Sequence, residues 1–462
     1  MAETQSKREM LASRLGFLLI SAGCAVGLGN VWRFPFITGE YGGACFLLVF
    51  VVCQLMVMPV MIAEFAIGRA SRRTLGLALK TLEPEGTWWH RFGWIAIVGS
   101  YILLMFYTTV CGWMLIYCFH MLQGTFHGMP PAEVGKFFGG MLGSPSLQIT
   151  GMTASVAVGA LVCASGLQNG VERVVKVMMA GLFLILIALV VHSVSLPGAA
   201  EGLKFYLMPD VERFQKVGFL PIASAALNQA FFTLSIGIGS MCIFGSYLTK
   251  DHSLTGEVCL ITGMDFLVAM LAGCIIFPAC FAFGVTPNAG PGLVFVTLPN
   301  VFSSMDGGRV WGALFFVFLS FAALTTVIAV FENMVACLMD MLHMPRRRAV
   351  FINAVLLWVL SLPCALGFNL LSGIEPLGKG SSFLDLEDFI VSNNLLPLGS
   401  LMMVLFCTMH AGWGWDKFAQ EADMGSGLRL SRHPALRFYL RWILPAVILV
   451  LFVTGYVDKF GG

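Results

Sequence analysis

The chain reads as an all-α integral membrane protein of about eleven transmembrane helices, a single domain built from two five-helix halves. Three observations predict this. The sequence is 58% hydrophobic and 11% charged, with a mean hydropathy of +0.86, whereas soluble domains carry about 25% charged residues. Its apolar residues fall into runs close to the ~20 residues that cross a bilayer, separated by polar, Pro/Gly-rich connections. Two of those runs, five spans apart, share a Gly-x-Gly interruption: VGLGN at 26–30 and IGIGS at 236–240.

The spans follow in order. The polar start, MAETQSKREM, leads into a run too long and Gly-rich for the core of a cleaved signal, so no signal peptide is expected. Spans centre on 15–37, 43–68, 92–121, 149–165, 174–195, 220–247, 258–284, 311–338, 349–368, 395–411 and 438–456. Longer connections fall at 123–147, 196–219, 285–309 and 369–393. The first half thus covers 14–195, the second 220–411, and an additional span lies at 436–457. Basic residues cluster in alternate connections: Lys7, Arg8 and Arg14; Arg69 to Arg91; Arg173 and Lys176; Lys250; Arg346 to Arg348; Arg429 to Arg437. By the positive-inside rule the N-terminus is cytoplasmic and the C-terminus lies outside.

Composition also excludes classes. The 13 cysteines lie in or beside apolar segments without a CxxC pair, so they read as small buried hydrophobes. The eight histidines show no HExxH or HxxxH spacing. A net charge of +2 points to no nucleic-acid partner. Nothing in the sequence specifies an oligomeric state.

The paired interruptions carry the functional argument. Glycine weakens a helix by roughly 1 kcal/mol per site, and an unwound turn in hydrocarbon is tolerated only where it lines a cavity or meets a ligand. Gly-interrupted spans at matching positions of two halves point to a transporter's binding site. Freed carbonyls suit a cation, and half-helix N-termini suit a carboxylate. Oxygen-bearing side chains lie near both breaks in sequence or in other spans: Asn30, Thr233, Ser235, Thr325, Thr326 and Asp265. An intramembrane acid is by default functional. A membrane threonine more often bonds its own backbone, so the Thr pair alone would be weak.

With these residues assembled, the sequence resembles the neurotransmitter:sodium symporter family, in its eleven-span bacterial amino-acid-transporter branch. The motifs are SRLGFLL, AVGLGNVWRFP, EFAIGR, GLQNGVERVVK, FFTLSIGIGS, GPGLVFVTLPNVF and ALTT, spread over nearly the whole chain. The resemblance implies two inverted repeats with discontinuous first and sixth helices. It implies import of an amino acid with sodium across a bacterial inner membrane by alternating access. One sodium site would use Ala25, Asn30, Thr233, Asp265 and the substrate carboxylate. A second would use Gly23, Val26, Ala322, Thr325 and Thr326. The carboxylate would meet Gly27, Leu28, Gly29 and the Tyr107 hydroxyl.

Two departures matter. Many relatives carry Asn where Asp265 stands, and chloride-dependent ones carry a second-span Tyr where this chain has Phe50. Both favour chloride-independent coupling, with Asp265 as internal negative charge and a candidate carrier for a proton on the return step. Amine-transporting relatives carry Asp at the position of Gly27, so a substrate with its own carboxylate is expected. Leu103, Phe232, Ser235, Ile238, Thr326 and Val330 would form an uncharged pocket for a neutral, apolar side chain. By the same resemblance Arg33, Asp388, Phe232 and Tyr107 form the outer gate, with Asp385 and Glu387 as rivals to Asp388. Arg8, Asp340 and Tyr247 form the inner gate, where Leu11 replaces the usual tryptophan. Glu64 is expected to hold backbone freed at the breaks; Glu332 reads as a polar contact in the inner pathway. The competing readings are an amino-acid sensor on the same scaffold and an intramembrane enzyme, for which no nucleophile–base or metal-ligand set is present.

Overall fold

The computed structural model describes residues 9–284, 292–430 and 432–460. Among them nine helices are long and apolar enough to cross a membrane. They are α3 (Ala44–Ser71), α5 (Trp89–Gln123), α6 (Pro145–Ala164), α7 (Leu167–Val194), α10 (Leu254–Ala282), α12 (Gly308–Leu342), α13 (Arg346–Leu366), α14 (Phe383–Thr408) and α16 (Pro434–Val457). A tenth crossing is the bent pair α1 (Arg14–Ala25) and α2 (Gly29–Glu40), which meet at 50°. The remaining crossing is split between α8 (Phe219–Thr233) and α9 (Ser240–Tyr247). At 1.5 Å per residue neither half reaches across the ~30 Å core alone.

The two breaks form for local reasons. Ser13 caps α1 by accepting the Gly16 amide at 3.0 Å, and α1 stops where Val26 turns extended. Between α8 and α9 the backbone enters the left-handed region at Ser235 (φ +50°), Gly237 (+96°) and Gly239 (+79°). That region costs an ordinary residue roughly 1–2 kcal/mol. Glycine at 237 has a second cause: a Cβ there would overlap the Leu396 carbonyl of α14. The break is therefore seated directly on a neighbouring backbone.

Helix α12 runs through the centre of the bundle, with 83% of its apolar window buried, whereas α16 is peripheral at 28%. Around α12 pack α5, α6, α7 and α1. Short helices cover the ends, among them α4 (Leu75–Leu82), α11 (Leu293–Ser304) and α15 (Trp415–Ala422). Helix α15 is fastened by Arg69, buried at the end of α3, whose Nε donates to Glu421 at 2.7 Å.

Two boundaries differ from the sequence reading. The tenth span begins at Phe383, not near 395. Its acidic first turn, FLDLEDF, becomes helical because Ser382 and Asp385 cap each other's backbone amides. The connection read at 285–309 contains α11, because Leu293, Phe295 and Leu298 bury against the bundle. Its first part, 285–291, lies outside the described residues.

Candidate substrate and ion site

The breaks in the first and sixth crossings lie side by side and satisfy each other's freed groups. The Ser235 hydroxyl donates to the Cys24 carbonyl at 2.9 Å. Thr326, on α12, donates toward the carbonyls of Gly23 (3.3 Å) and Cys24 (3.4 Å). Gln229 donates to the Gly29 carbonyl at 2.7 Å. The Leu28 amide donates to the Tyr107 hydroxyl at 2.9 Å, and the Gly27 amide to Asn30 Oδ1 at 3.0 Å. Glu64, buried on α3, accepts the Gly237 amide. Two interrupted helices in hydrocarbon are stable here because the freed groups named above find partners in the fold.

Asp265, fully buried on α10, is the centre of the polar cluster. Asn30 Nδ2 donates to its Oδ1 at 2.8 Å, Thr233 Oγ1 to the same oxygen at 2.9 Å, and Gln54 Nε2 to Oδ2 at 2.5 Å. Its neighbours are thus neutral donors. An isolated carboxylate away from water is costly unless a cation or proton accompanies it. The oxygens around it are carbonyl, hydroxyl, amide and carboxylate, the donor set of a hard cation rather than of zinc or copper.

A second cluster surrounds the Thr pair. Thr325 donates to the carbonyls of Phe321 and Ala322, each at 3.0 Å. Thr326 bridges from α12 to α1 as described. Gly23 packs against Thr325, with room for a Cβ only 3.2 Å from the Thr325 Cβ. Gly23, Ala322, Thr325 and Thr326 therefore converge, while Val26 closes the last turn of α1 on the Ala22 carbonyl at 2.6 Å.

Between the clusters lies a small cavity of about 10 Å³, room for roughly one water. Of the pocket residues expected from the sequence, Ala25, Gly27, Gly29, Leu103, Tyr107, Phe232, Thr233, Ser235, Ile238 and Thr326 line it. Leu28 contributes its amide through Tyr107. Val330 is buried one turn further along α12 and does not line the cavity. Cys24 and Leu396 line it and were not anticipated. Gly27 is sterically fixed: a Cβ there would overlap the Tyr107 hydroxyl and come within 2.7 Å of Thr326 Oγ1.

The proposed outer gate residues come together. Arg33 lies 3.6 Å from Asp388 and donates to Ser392 at 3.0 Å; Ser392 donates onward to Asp388 at 2.7 Å. The Arg33 guanidinium also sits 4.8 Å from the centroid of the Phe232 ring. Asp385 serves the Ser382 cap, and Glu387 is buried. At the opposite end, Arg8 lies outside the described residues. Asp340 accepts the Thr74 amide at 2.8 Å. Tyr247 donates to Glu332 at 2.9 Å, and Glu332 pairs with Arg346. Arg346 also donates to the Cys163 carbonyl at 2.7 Å and lies 3.4 Å from Glu9.

Sequence reasoning missed Gln54 and Gln229. Gln54 is a lone amide in an apolar run, VFVVCQLMVMP, and Gln229 is the second of two adjacent amides in ASAALNQAFF. An amide in hydrocarbon needs a partner, so the signal existed, but which partner depends on how α3 and α8 pack. Phe50 lies one turn from Gln54 on α3, packed on Phe34 with centroids 4.9 Å apart.

Paired helix breaks, a buried acid amid oxygen donors, and charged pairs at both ends define a secondary transporter of the discontinuous-helix class. The chain matches the sodium:neurotransmitter symporter family over residues 8–129 and 140–460, and it belongs to that family. It is 34% identical to the uncharacterized sodium-dependent transporter YhdH of Bacillus subtilis over 98% of both chains. It is 32% identical to an uncharacterized sodium-dependent transporter of Haemophilus influenzae, over 98% of this chain and 100% of that one. The crystal structure of MhsT in complex with L-phenylalanine has the same fold, with a TM-score of 0.87 and 36% identity over 97% of this chain and 100% of that one. The protein is a multi-pass, sodium-coupled transporter and not an enzyme.

Proposed function

We propose that the protein imports a neutral, apolar L-amino acid with two sodium ions, independently of chloride, by alternating access between two inverted repeats (14–195 and 220–411). The observation that carries this reading is the convergence of Asn30, Thr233 and Asp265 beside the Gly27–Leu28–Tyr107 cradle. The first ion sits among Ala25, Asn30, Thr233 and Asp265, against the substrate carboxylate. The second sits among the carbonyls of Gly23, Val26 and Ala322 and the hydroxyls of Thr325 and Thr326. The carboxylate lies over Gly27–Gly29 and takes the Tyr107 hydroxyl. A Cβ at Gly27 would collide with the Tyr107 hydroxyl and Thr326 Oγ1 unless they moved, which supports a substrate that brings its own carboxylate. The uncharged pocket, and the L-phenylalanine held by MhsT, support an apolar side chain.

Asp265 supplies the negative charge that balances sodium, and Phe50 offers no hydroxyl to an anion. After the ions leave, Asp265 takes up a proton, which makes proton counter-transport part of the cycle. Basic connections on alternate sides support a cytoplasmic N-terminus and an outer C-terminus in a bacterial inner membrane. Two sodium ions in with a zwitterion and one proton out move one net charge, a gain of about 2.3 kcal/mol per 100 mV, or roughly fortyfold in concentration before the sodium gradient is counted.

Uptake of radiolabelled amino acids into proteoliposomes tests the reading. Sodium-dependent uptake of apolar amino acids is expected, unchanged when chloride is replaced by gluconate. Asp265→Asn should lower it at least tenfold. Binding without uptake would indicate a sensor, and a chloride requirement would remove the role given to Asp265.

A further inference from the structure

A second cavity, of about 150 Å³, lies away from the substrate site, between α4, the start of α5 and α14. Its walls include Leu79, Trp89, Ala96, Met402 and Gly399, and its floor is Gly237 in the helix break. None of the residues assigned to the ion sites or gates lines it. Helix α4 is seated on α5 where Gly76 meets Gly93, so close that a Cβ on Gly93 would lie 2.6 Å from the Gly76 Cα.

We propose that this cavity holds the acyl chain of a phospholipid from the leaflet at the end of the bundle where the chain starts, with the lipid phosphate at Arg91. Three observations lead there. Ile95, a lining residue, is exposed on α5 together with Trp94 and Val98, and Trp88 is exposed just before that helix; in a bilayer that face meets acyl chains. The mouth has interfacial chemistry: the Arg91 guanidinium lies 6.0 Å from the centroid of the Trp88 ring, and Trp88 stacks on Phe92, a lining residue, at 6.1 Å. Trp89 donates to the Ala411 carbonyl at 2.7 Å, fixing one wall. Arg91 and Lys80 are exposed and available to a phosphate; of the two acids in this connection, Glu83 is engaged by His90 at 2.6 Å and Glu85 is exposed.

The energetics agree. A void lined by apolar atoms forfeits dispersion contacts on its whole surface, and apolar cavities of about 150 Å³ take up benzene-sized solutes. In a bilayer the apolar solute at high concentration is the acyl chain. The consequence is a link to the substrate pocket. Gly237 and Gly399 touch backbone to backbone, and Leu396, one turn before, lines that pocket. A bound chain therefore braces α14 against the break in α8–α9. The proposal is independent of which substrate or ions are carried.

Native mass spectrometry of the full chain released from phosphatidylglycerol/phosphatidylethanolamine nanodiscs reads the site directly. One tightly held phospholipid per chain is expected for wild type, reduced at least fivefold by A96F, which fills the cavity, and by R91Q. In vesicles of bromine-labelled phospholipid, the quenching contributed by Trp89, taken as the difference from W89F, should fall by half or more in A96F. Should A96F fail to fold, M402F, at a half-buried position, makes the same test. Equal lipid retention and equal Trp89 quenching in a filled variant that melts like wild type would overturn the proposal, as would a wild-type chain that retains no phospholipid.

Discussion

At the scale of residues, Gly27 and Asp265 decide most. Gly27 has no room: the Tyr107 hydroxyl and Thr326 Oγ1 occupy the space of a Cβ. G27A is therefore expected to lower stability by about 1–3 kcal/mol through overpacking and to weaken amino-acid binding at least tenfold. Both are measured by thermal denaturation with and without sodium and substrate. Removing the obstructing hydroxyl in G27A/Y107F should recover part of the stability, which a purely conformational effect at Gly27 would not allow. The glycine and the acid were both legible in the sequence, one as an interruption and the other as an ionisable group in a span. Gln54 and Gln229 were not. An amide in an apolar run announces a need for a partner, but only the packing of α3 on α10 and of α8 on α2 names Asp265 and the Gly29 carbonyl.

At the scale of elements, the break between α8 and α9 is the most constrained segment. Ser235, Gly237 and Gly239 take left-handed backbone in close succession, and Gly237 rests on the Leu396 carbonyl. G237A combines the left-handed penalty of roughly 1–2 kcal/mol with a backbone collision. It should lower the midpoint of thermal unfolding by more than G284A, an exposed glycine with φ +65° and no neighbour at its Cβ among the described residues. Equal losses would mean that conformation alone, and not the α14 contact, requires glycine at 237. Element boundaries were less legible than element existence. The tenth span gained its acidic first turn from a capping box that hydropathy does not weigh, and α11 was hidden in a connection because its apolar run is short.

At the scale of the whole molecule, the two ends of the bundle carry different charged clusters. Arg33, Ser392, Asp388 and the Phe232 ring meet at one end. At the other, Glu332 is fully buried and its charge is met by Arg346, which also reaches Cys163 on α6 and Glu9. Removing one partner of a buried pair costs about 3–5 kcal/mol. R346A should therefore loosen this end, seen as faster hydrogen exchange in α9 and at the start of α1, while exchange around Arg33 is unchanged. The double variant R346A/E332Q, which leaves no uncompensated charge, should restore much of the protection. Unchanged exchange in R346A would exclude Arg346 as a closing element.

The sequence by itself determined the membrane class, the order of the spans, the two interruptions and the chemical types gathered around them. It could do so because hydrocarbon tolerates few exceptions, and each polar or Gly-rich exception is conspicuous against an apolar background. Tertiary structure decided which exceptions meet. It brought Asn30, Thr233 and Gln54 onto one carboxylate from three different helices. It chose Asp388, through Ser392, from among neighbouring acids, and it gave Glu332 its arginine. Those pairings depend on the rotation and depth of each helix in the bundle, which close packing of side chains fixes and hydropathy along a single chain does not.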